Sequence, residues 1–234
     1  MRPFDPWFIV NVIPDLLAYL PVTLFMIVGS MFFGSMLGFI LARAKIKGCR
    51  IPKLLADLYI ATLRCTPPIV LLFIVFYGLP ELLKVTMGVN INAIYKGVFV
   101  LVTFTLLFAA SVAEVMRSAY ESIDKGQREA AISIGLSEFQ AFYRIILPQA
   151  VVVGLPNFCN ALINLMKDGS LAFTIGLIDM MGEGALIVSR NYGSYALETY
   201  IALAVIYWSM IIVIEKSFNL LEKHLSKGKA RVMA

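Results

Sequence analysis

Five long apolar stretches without a single charged side chain divide this sequence of 234 residues. A helix needs roughly 17–25 residues to cross the lipid core of a bilayer, and inside that core every backbone polar group must find a partner within the protein. We therefore predict five membrane-spanning helices in an all-α fold. The stretches cover residues 16–42, 65–80, 97–113, 145–166 and 199–214.

Composition agrees with a membrane protein. The chain is 60% hydrophobic and 15% charged, with a mean hydropathy of +0.84, values outside the usual range of soluble domains. We predict a single transmembrane domain over residues 1–234. A shorter apolar run, residues 171–178, cannot cross a bilayer alone, so we expect it to be re-entrant or to pack against the bundle.

The distribution of Lys and Arg predicts the orientation, because cytoplasmic loops carry more of them. The loop after the first stretch contains Arg43, Lys45, Lys47, Arg50 and Lys53, and the tail contains Lys216, Lys223, Lys227, Lys229 and Arg231. With five spans, we expect the N-terminus outside and the C-terminus in the cytoplasm. The net charge of +5 then reflects topology and contact with anionic lipid, not nucleic-acid binding.

A polar segment between the third and fourth stretches has the pattern of a helix-turn-helix. Gly135 is a natural helix end, and Ser137 with Gln140 forms a capping-box pattern that begins a second helix. Ala131 and Gly135 lie on one helix face and leave it smooth, which lets another backbone approach closely. We expect this segment on the cytoplasmic side.

The second helix of this segment carries an aromatic stripe. Phe139, Phe142, Tyr143 and Ile146 recur at helical spacing, which suits packing under the bundle or into a partner's groove. Pro148 is placed to open the fourth span, since proline favours the first turn of a helix. On these features alone, the segment is either a docking element or an ordinary kinked loop.

The segment also matches a family pattern: E-A-A, three residues, G, nine residues, then I-x-L-P. The matching residues are Glu129, Ala130, Ala131, Gly135, Ile145, Leu147 and Pro148. This resembles the EAA loop in permease subunits of binding-protein-dependent ATP-binding-cassette (ABC) importers. The resemblance implies a five-helix type I importer permease in which residues 125–148, here called the coupling element, dock in a cleft of an ATPase.

Three more stretches narrow the resemblance to permeases for polar amino acids. Residues 59–67 look like Y-I-x-x-x-R-G-T-P, residues 113–127 like A-E-x-x-R…G-Q, and residues 167–171 like K-D-T-S-L. The chain departs from the pattern at Cys65, where Gly is usual, and at Gly169, where Thr is usual. Neither departure removes a charged group.

Polar groups within or beside the spans are the candidates for a substrate path, because a charge at mid-bilayer costs roughly 2.5–3.5 kcal/mol unless it faces a polar cavity. They are Glu114, Arg117, Asn160, Asn164, Lys167 and Asp168. For each one a structural role is the alternative.

Spacing defines these alternatives. Glu114 and Arg117 are three residues apart and can pair with each other. Asn160 and Asn164 share a helix face and can join helices by hydrogen bonds. Asp168 can hold the ammonium group of an amino acid if the helix breaks at Gly169, or it can form a structural ion pair.

The partners follow from motifs that the sequence lacks and from the resemblance. Without a G-x-x-x-x-G-K-[ST] phosphate loop, we expect ATP to bind a separate cassette subunit, and no cofactor in this chain. The resemblance implies an extracellular or periplasmic amino acid binding protein and a second permease copy, either identical or similar, in the bacterial cytoplasmic membrane.

Other classes fit less well. An intramembrane enzyme needs catalytic or metal-binding groups, and the sequence has no H-E-x-x-H and no G-x-S-x-G, so we predict no catalytic residue. Cys49, Cys65 and Cys159 lack metal-ligand spacing, and the single histidine, His224, lies in the basic tail. A secondary amino acid transporter and a membrane scaffold remain as alternatives.

Short stretches also suggest the cargo. Residues 179–182 and 200–203 are similar to permeases for cystine and related sulphur amino acids. L-cystine is therefore the favoured substrate.

Overall fold

The computed structural model describes residues 3–226, and all regular secondary structure in that range is helical. Five helical segments are long and apolar enough to cross a membrane: Leu20–Lys47, Pro68–Met87, Lys96–Glu121, Glu138–Ile175 and Ala196–Ser226. Each overlaps one of the predicted stretches, so the all-helical fold with five spans is confirmed. Three cations used for the orientation, Lys227, Lys229 and Arg231, lie outside the described residues.

The first apolar stretch is divided between two helices. Helix α1 covers Pro6–Leu17 and begins at Asp5, whose carboxylate accepts a hydrogen bond from the Trp7 amide (3.1 Å). Helix α2 covers Leu20–Lys47, with proline in its first turn. That proline has no amide to donate, and its ring disfavours a helical conformation in the residue before it, which favours an interruption between α1 and α2.

Prolines also shape the second span. Helix α3 (Arg50–Cys65) ends before Pro67, and α4 (Pro68–Phe73) continues through a π-helical turn, Ile74–Gly78, into α5 (Leu79–Met87). Pro80 follows that turn at the start of α5. A π turn re-routes hydrogen bonds to the fifth residue, which accommodates the amide that proline lacks.

The remaining helices complete the bundle. They are α6 (Lys96–Glu121), α7 (Lys125–Ser133), α8 (Glu138–Ala141), α9 (Leu147–Gly169), α10 (Met180–Arg190) and α11 (Ala196–Ser226). A π-helical turn, Phe142–Ile146, joins α8 to α9, and a 3-10 helix, Ser170–Ile175, follows α9.

Small residues bring α2 and α6 together in the most extensive helix pair of the bundle. A Cβ atom at Gly38 would lie 3.1 Å from the Ala109 carbonyl oxygen and 3.3 Å from the Ala113 amide nitrogen. Such contact between backbones is the usual basis of helix association in lipid, where packing replaces the hydrophobic effect. The main core, which includes Phe104 and Phe108 of α6, surrounds this pair.

The short apolar run packs against the bundle, which was one of the two expectations for it. Ala172, Ile175 and Leu177 are buried in the main core. Asp179 then begins α10, where its carboxylate accepts the Gly182 amide (2.9 Å). Burial raises the pKa of Asp179 to about 6.

We expect Gly38→Val to destabilise the protein by about 1–3 kcal/mol, because an added side chain meets backbone that cannot move aside. Thermal unfolding of the purified protein in detergent would measure this. Met36→Val, on the exposed face of the same helix, is the control and should have little effect. Equal unfolding temperatures for the two variants would contradict the close packing.

Candidate functional site: a coupling element and a polar membrane face

The first helix of the coupling element ends where the sequence predicts. Helix α7 begins at Asp124, whose carboxylate accepts the Gly126 amide (2.6 Å). The chain leaves the helix at Gly135, which has a φ of +91°. The Leu136 amide donates back to the Ala131 carbonyl at 3.1 Å. This left-handed turn favours glycine, because glycine has no Cβ atom to clash with the backbone.

The second helix begins with the predicted capping box. The Gln140 amide donates to the Ser137 hydroxyl (3.3 Å), and the Ser137 amide donates to the Gln140 side chain (2.9 Å). Arg128 on α7 donates from Nε to Glu138 Oε2 on α8 at 2.9 Å. Capping sets the direction of the second helix, and this ion pair holds the two helices at their angle.

The second half of the coupling element and the fourth span form one continuous helical segment, Glu138–Ile175. Pro148 lies in the first turn of α9, as predicted, and the π turn before it joins α8 to α9 without a break. At 1.5 Å per residue the segment is roughly 55 Å long. Within this segment, no loop separates α8 from the far end of the span.

Not all residues of the family pattern are available to a partner. Glu129, Ala130, Gly135 and Pro148 are exposed, and Leu147 is half-buried. Ala131 is only 1% exposed, because α7 packs against the π turn of its own chain. The small side chain of Ala131 thus serves close approach within the element, where the neighbour is its own chain, and a part for Ala131 in ATPase coupling stays a prediction.

The aromatic stripe divides in two. Phe142 faces Tyr120 of α6 (ring centroids 6.2 Å apart), and Ile146 is buried. Phe139 and Tyr143 are exposed and stacked on each other at 6.1 Å. Ile134, which sequence reasoning missed, is 77% exposed; the available signal was a β-branched apolar residue beside the helix-ending Gly135. Exposed apolar groups of this kind indicate a protein partner.

Glu114 and Arg117 belong to an ion-pair network that joins α2, α3 and α6. Lys45 pairs with Asp57 (2.8 Å) and with Glu114. Glu114 also accepts two hydrogen bonds from Arg117, at 2.7 and 3.0 Å, and Arg117 reaches Glu121. Both candidates are therefore engaged within the chain. The structure therefore supports the structural alternative for both residues.

The other polar candidates do lie on one exposed face. Asn157, Asn160, Asn164 and Lys167 are spaced by three or four residues along α9, and all are exposed. None of them donates a side-chain hydrogen bond or forms an ion pair among the described residues. Leu162, about 160° around the helix from Asn160, is buried. The asparagines therefore do not join helices within this chain, and this polar face needs another surface to cover it.

Asp168 is half-buried at the end of this face, one residue before α9 ends at Gly169. The helix therefore changes to the 3-10 form where a break was expected. Within residues 3–226, no hydrogen bond or ion pair engages the Asp168 carboxylate, so it is available to a ligand.

Arg64 is a further candidate, which sequence reasoning quoted only as part of a motif. Helix α3 packs against α2 and α6, and Arg64 lies in its last turn. The Tyr59 hydroxyl donates to the Leu106 carbonyl at 2.9 Å, and Leu106 lies about 15 Å from the Lys96 end of α6. Arg64 is five residues beyond Tyr59 on α3, so it lies roughly 7.5 Å closer than Tyr59 to the Lys96 end of α6. Arg64 is exposed and has no ion-pair partner among the described residues.

Arg64 and Asp168 lie at similar depth in the bundle. Leu165 and Gly169, which flank Asp168 on α9, line the same small cavity as Phe104 of α6. Phe104 lies within about one helical turn of the level of Arg64. Helix α4, which follows Arg64 closely, contacts the 3-10 helix after Asp168. An unpaired cation and an unpaired carboxylate at one depth are complementary to a zwitterion.

Metal chemistry has no site in the part of the chain that the structure describes. Within residues 3–226, no group of three or more His, Cys, Asp or Glu side chains is placed to hold a metal ion. Cys49 and Cys65 are exposed thiols, and Cys159 is a buried one.

Several known membrane transport proteins are similar to this chain along most of its length. The family model for the inner membrane component of binding-protein-dependent transport systems matches residues 34–227. The L-cystine transport system permease protein TcyL of Bacillus subtilis (strain 168) is 42% identical over 232 residues, which is 99% of this chain and 96% of that protein. The probable amino-acid permease protein YxeN of the same organism is 38% identical, covering 97% of this chain and 98% of that one.

Among solved structures, a chain in the crystal structure of an amino acid ABC transporter with histidines is also similar. It superposes with a TM-score of 0.82 at 28% identity, covering 95% of this chain and 100% of that chain.

We expect Glu114→Gln to destabilise the protein by roughly 1–3 kcal/mol, between the values for exposed and buried ion pairs, because Lys45 and Arg117 both lose their shared carboxylate. Glu121→Gln removes the same charge from an exposed end of the network and should cost less than about 1 kcal/mol. Thermal unfolding in detergent compares the two. A larger loss for Glu121→Gln would contradict the central position of Glu114.

Proposed function

This chain belongs to the family of inner membrane components of binding-protein-dependent transport systems, as a permease subunit of an amino acid importer, and we propose that its cargo is L-cystine or a closely related sulphur amino acid. The high identity to a cystine permease along almost the full length of both chains supports this cargo. The short stretches 179–182 and 200–203 favour the same substrate.

The continuous helix from the coupling element through the fourth span is the observation that best supports a coupled importer. In our proposal a separate ATPase closes on ATP and moves the exposed patch of Ile134, Phe139 and Tyr143. Helix Glu138–Ile175 moves as a unit and opens the path outward, and hydrolysis returns it inward. The permease is thus a two-state element that the ATPase biases from the cytoplasm and the loaded binding protein biases from outside.

A second permease copy is the natural cover for the polar face of α9. Three asparagines and a lysine facing lipid would be costly. Pairing two such faces about a two-fold axis places them around a shared polar path. An identical copy and a closely similar chain both satisfy this requirement.

The groups along this path suit an amino acid zwitterion. We assign the ammonium group to Asp168 and the carboxylate to the cations Arg64 and Lys167, with Asn160 and Asn164 offering neutral hydrogen bonds. Cystine carries two such zwitterionic ends, and paired copies would offer two such sets.

The proposed orientation places the coupling element, the basic loop after α2 and the C-terminus in the cytoplasm, and the N-terminus outside. This is the only side from which a cytoplasmic ATPase can reach residues 125–148. It also agrees with the excess of Lys and Arg in the loops assigned to that side.

Substitutions in the coupling element should uncouple ATP hydrolysis from uptake while the protein still inserts in the membrane. We expect Gly135→Asp to reduce uptake at least tenfold in vesicles that contain the whole importer, and Glu129→Lys to act in the same direction. The physical reason is a charge change on the surface that meets the ATPase.

Gly88→Asp is a matched control for Gly135→Asp. Both glycines have positive φ, and an added Cβ atom would meet nothing within 4 Å at either one. Both variants therefore carry similar backbone strain, but only Gly135 lies in the coupling element. Substrate-stimulated ATP hydrolysis and uptake that remain normal in Gly135→Asp and Glu129→Lys would overturn this assignment.

Cargo and path can be tested together with the reconstituted importer and labelled L-cystine. We expect ATP-dependent uptake of cystine, and a loss of at least tenfold in Asp168→Asn, because the amide cannot neutralise the ammonium group. Asp15→Asn, which removes an equal charge from an exposed site on α1, should transport normally.

The outcomes of this assay separate the alternatives. Uptake of another amino acid in preference to cystine would overturn the proposed cargo, but the assignment as an amino acid importer would stand. Uptake driven by an ion gradient without any ATPase would instead favour a secondary transporter. Normal uptake by Asp168→Asn would remove Asp168 from the path.

A further inference from the structure

We propose that an anionic phospholipid binds in a cavity between α2, α6 and the second half of the coupling element. The cavity has a volume of about 540 Å³, within the range of roughly 300–1,000 Å³ that is typical of ligand pockets. It is separate from the polar face of α9, although Phe139, part of the patch that we assign to the ATPase, also lines it.

The lining of the cavity is mostly apolar. Phe39 of α2, Met116 of α6, and Phe142, Val151 and Phe158 of the long helix form its walls. Phe39 is 48% exposed and Val151 is 44% exposed, so the cavity is open to the surroundings on this side. A surface of this kind at membrane depth accepts an acyl chain.

The cavity faces away from the proposed substrate path. Val151 and Phe158 lie roughly 160–180° around α9 from Asn160, at 100° per residue. When the polar face of α9 meets a second permease, this cavity is turned outward from that contact. Lipid is the surrounding medium on the outside of a membrane bundle, so its tails have direct access.

The mouth of the cavity carries two unengaged cations. Arg43 and Lys47 are four residues apart on the last turns of α2, both line the cavity, and both are exposed. Lys45 between them is turned into the ion-pair network. Neither Arg43 nor Lys47 forms a hydrogen bond or ion pair among the described residues.

The acidic group at the mouth does not cancel these cations. Glu138 also lines the cavity and lies near enough to Lys47 to interact with it electrostatically. Its carboxylate, however, is engaged by the Arg128 guanidinium. The mouth therefore keeps a net positive charge that matches a lipid phosphate, directly above walls that match its tail.

Such a lipid would contact both the bundle and the moving part of the permease. Phe39 and Met116 belong to the α2 and α6 pair, whereas Phe142 belongs to the π turn that links the coupling element to the fourth span. A bound tail fills the space between them. Lipid composition would then affect the ease with which the long helix moves.

Native mass spectrometry of the full-length permease in detergent can test this with phosphatidylglycerol and phosphatidylcholine as probes. We expect preferential retention of phosphatidylglycerol, weakened about fivefold for each of the changes Arg43→Gln and Lys47→Gln, as follows from the usual attraction of one cation to an anionic membrane. Val151→Trp should weaken the binding of both lipids by filling the cavity.

Arg50→Gln combined with Lys53→Gln is the matched control, since both residues are exposed cations of the same basic loop and neither lines the cavity. The control should retain the preference for phosphatidylglycerol. If the control loses as much of the preference for phosphatidylglycerol as the Arg43→Gln and Lys47→Gln variants do, diffuse surface charge explains the binding and the proposal is overturned. Absence of any preference in the unmodified protein would also overturn it.

A photo-cross-linking residue at position 151, in cells that express the otherwise unchanged chain, gives an independent measurement in the native membrane. We expect cross-links to phospholipid. Cross-links to a polypeptide instead would show that a protein segment covers the cavity and would overturn the lipid assignment.

Discussion

The absence of water in the bilayer core is the constraint on which the rest of this structure depends. Every backbone amide and carbonyl in the spans must be paired inside the protein, so the spans are helical and stay helical where proline removes a donor. The π turns before Pro80 and Pro148 are the clearest examples. In the fourth span, this solution has a functional consequence, because it keeps the coupling element and the span in one piece.

Packing inside the bundle relies on small residues and on charge pairing. Gly34 and Gly38 bring the backbones of α2 and α6 into contact, where lipid provides no hydrophobic drive for association. Toward the coupling element, the same two helices are joined to α3 by the network around Glu114. In our proposal, these contacts form the frame against which the long helix moves.

Polar groups are divided between this frame and the surfaces left open. Glu114 is satisfied inside the chain, whereas Asn160, Asn164 and Asp168 on α9 and Arg64 on α3 have no such partner among the described residues. Open polar groups at membrane depth are costly unless another surface covers them. The division therefore separates residues that stabilise one permease from residues that remain open to the second copy and the substrate that we propose.

Much of the fold and part of the site could be predicted from the sequence, because their causes are local. Apolar length determines the spans, glycine at a left-handed turn ends α7, and Ser137 with Gln140 begins the next helix. Whether Ala131 is buried, whether Phe142 turns inward while Phe139 stays exposed, and whether the helix that carries Arg64 packs against α6 were decided only by the tertiary structure. Each of these depends on which residues of distant helices meet, and helical periodicity within one segment carries no information about that.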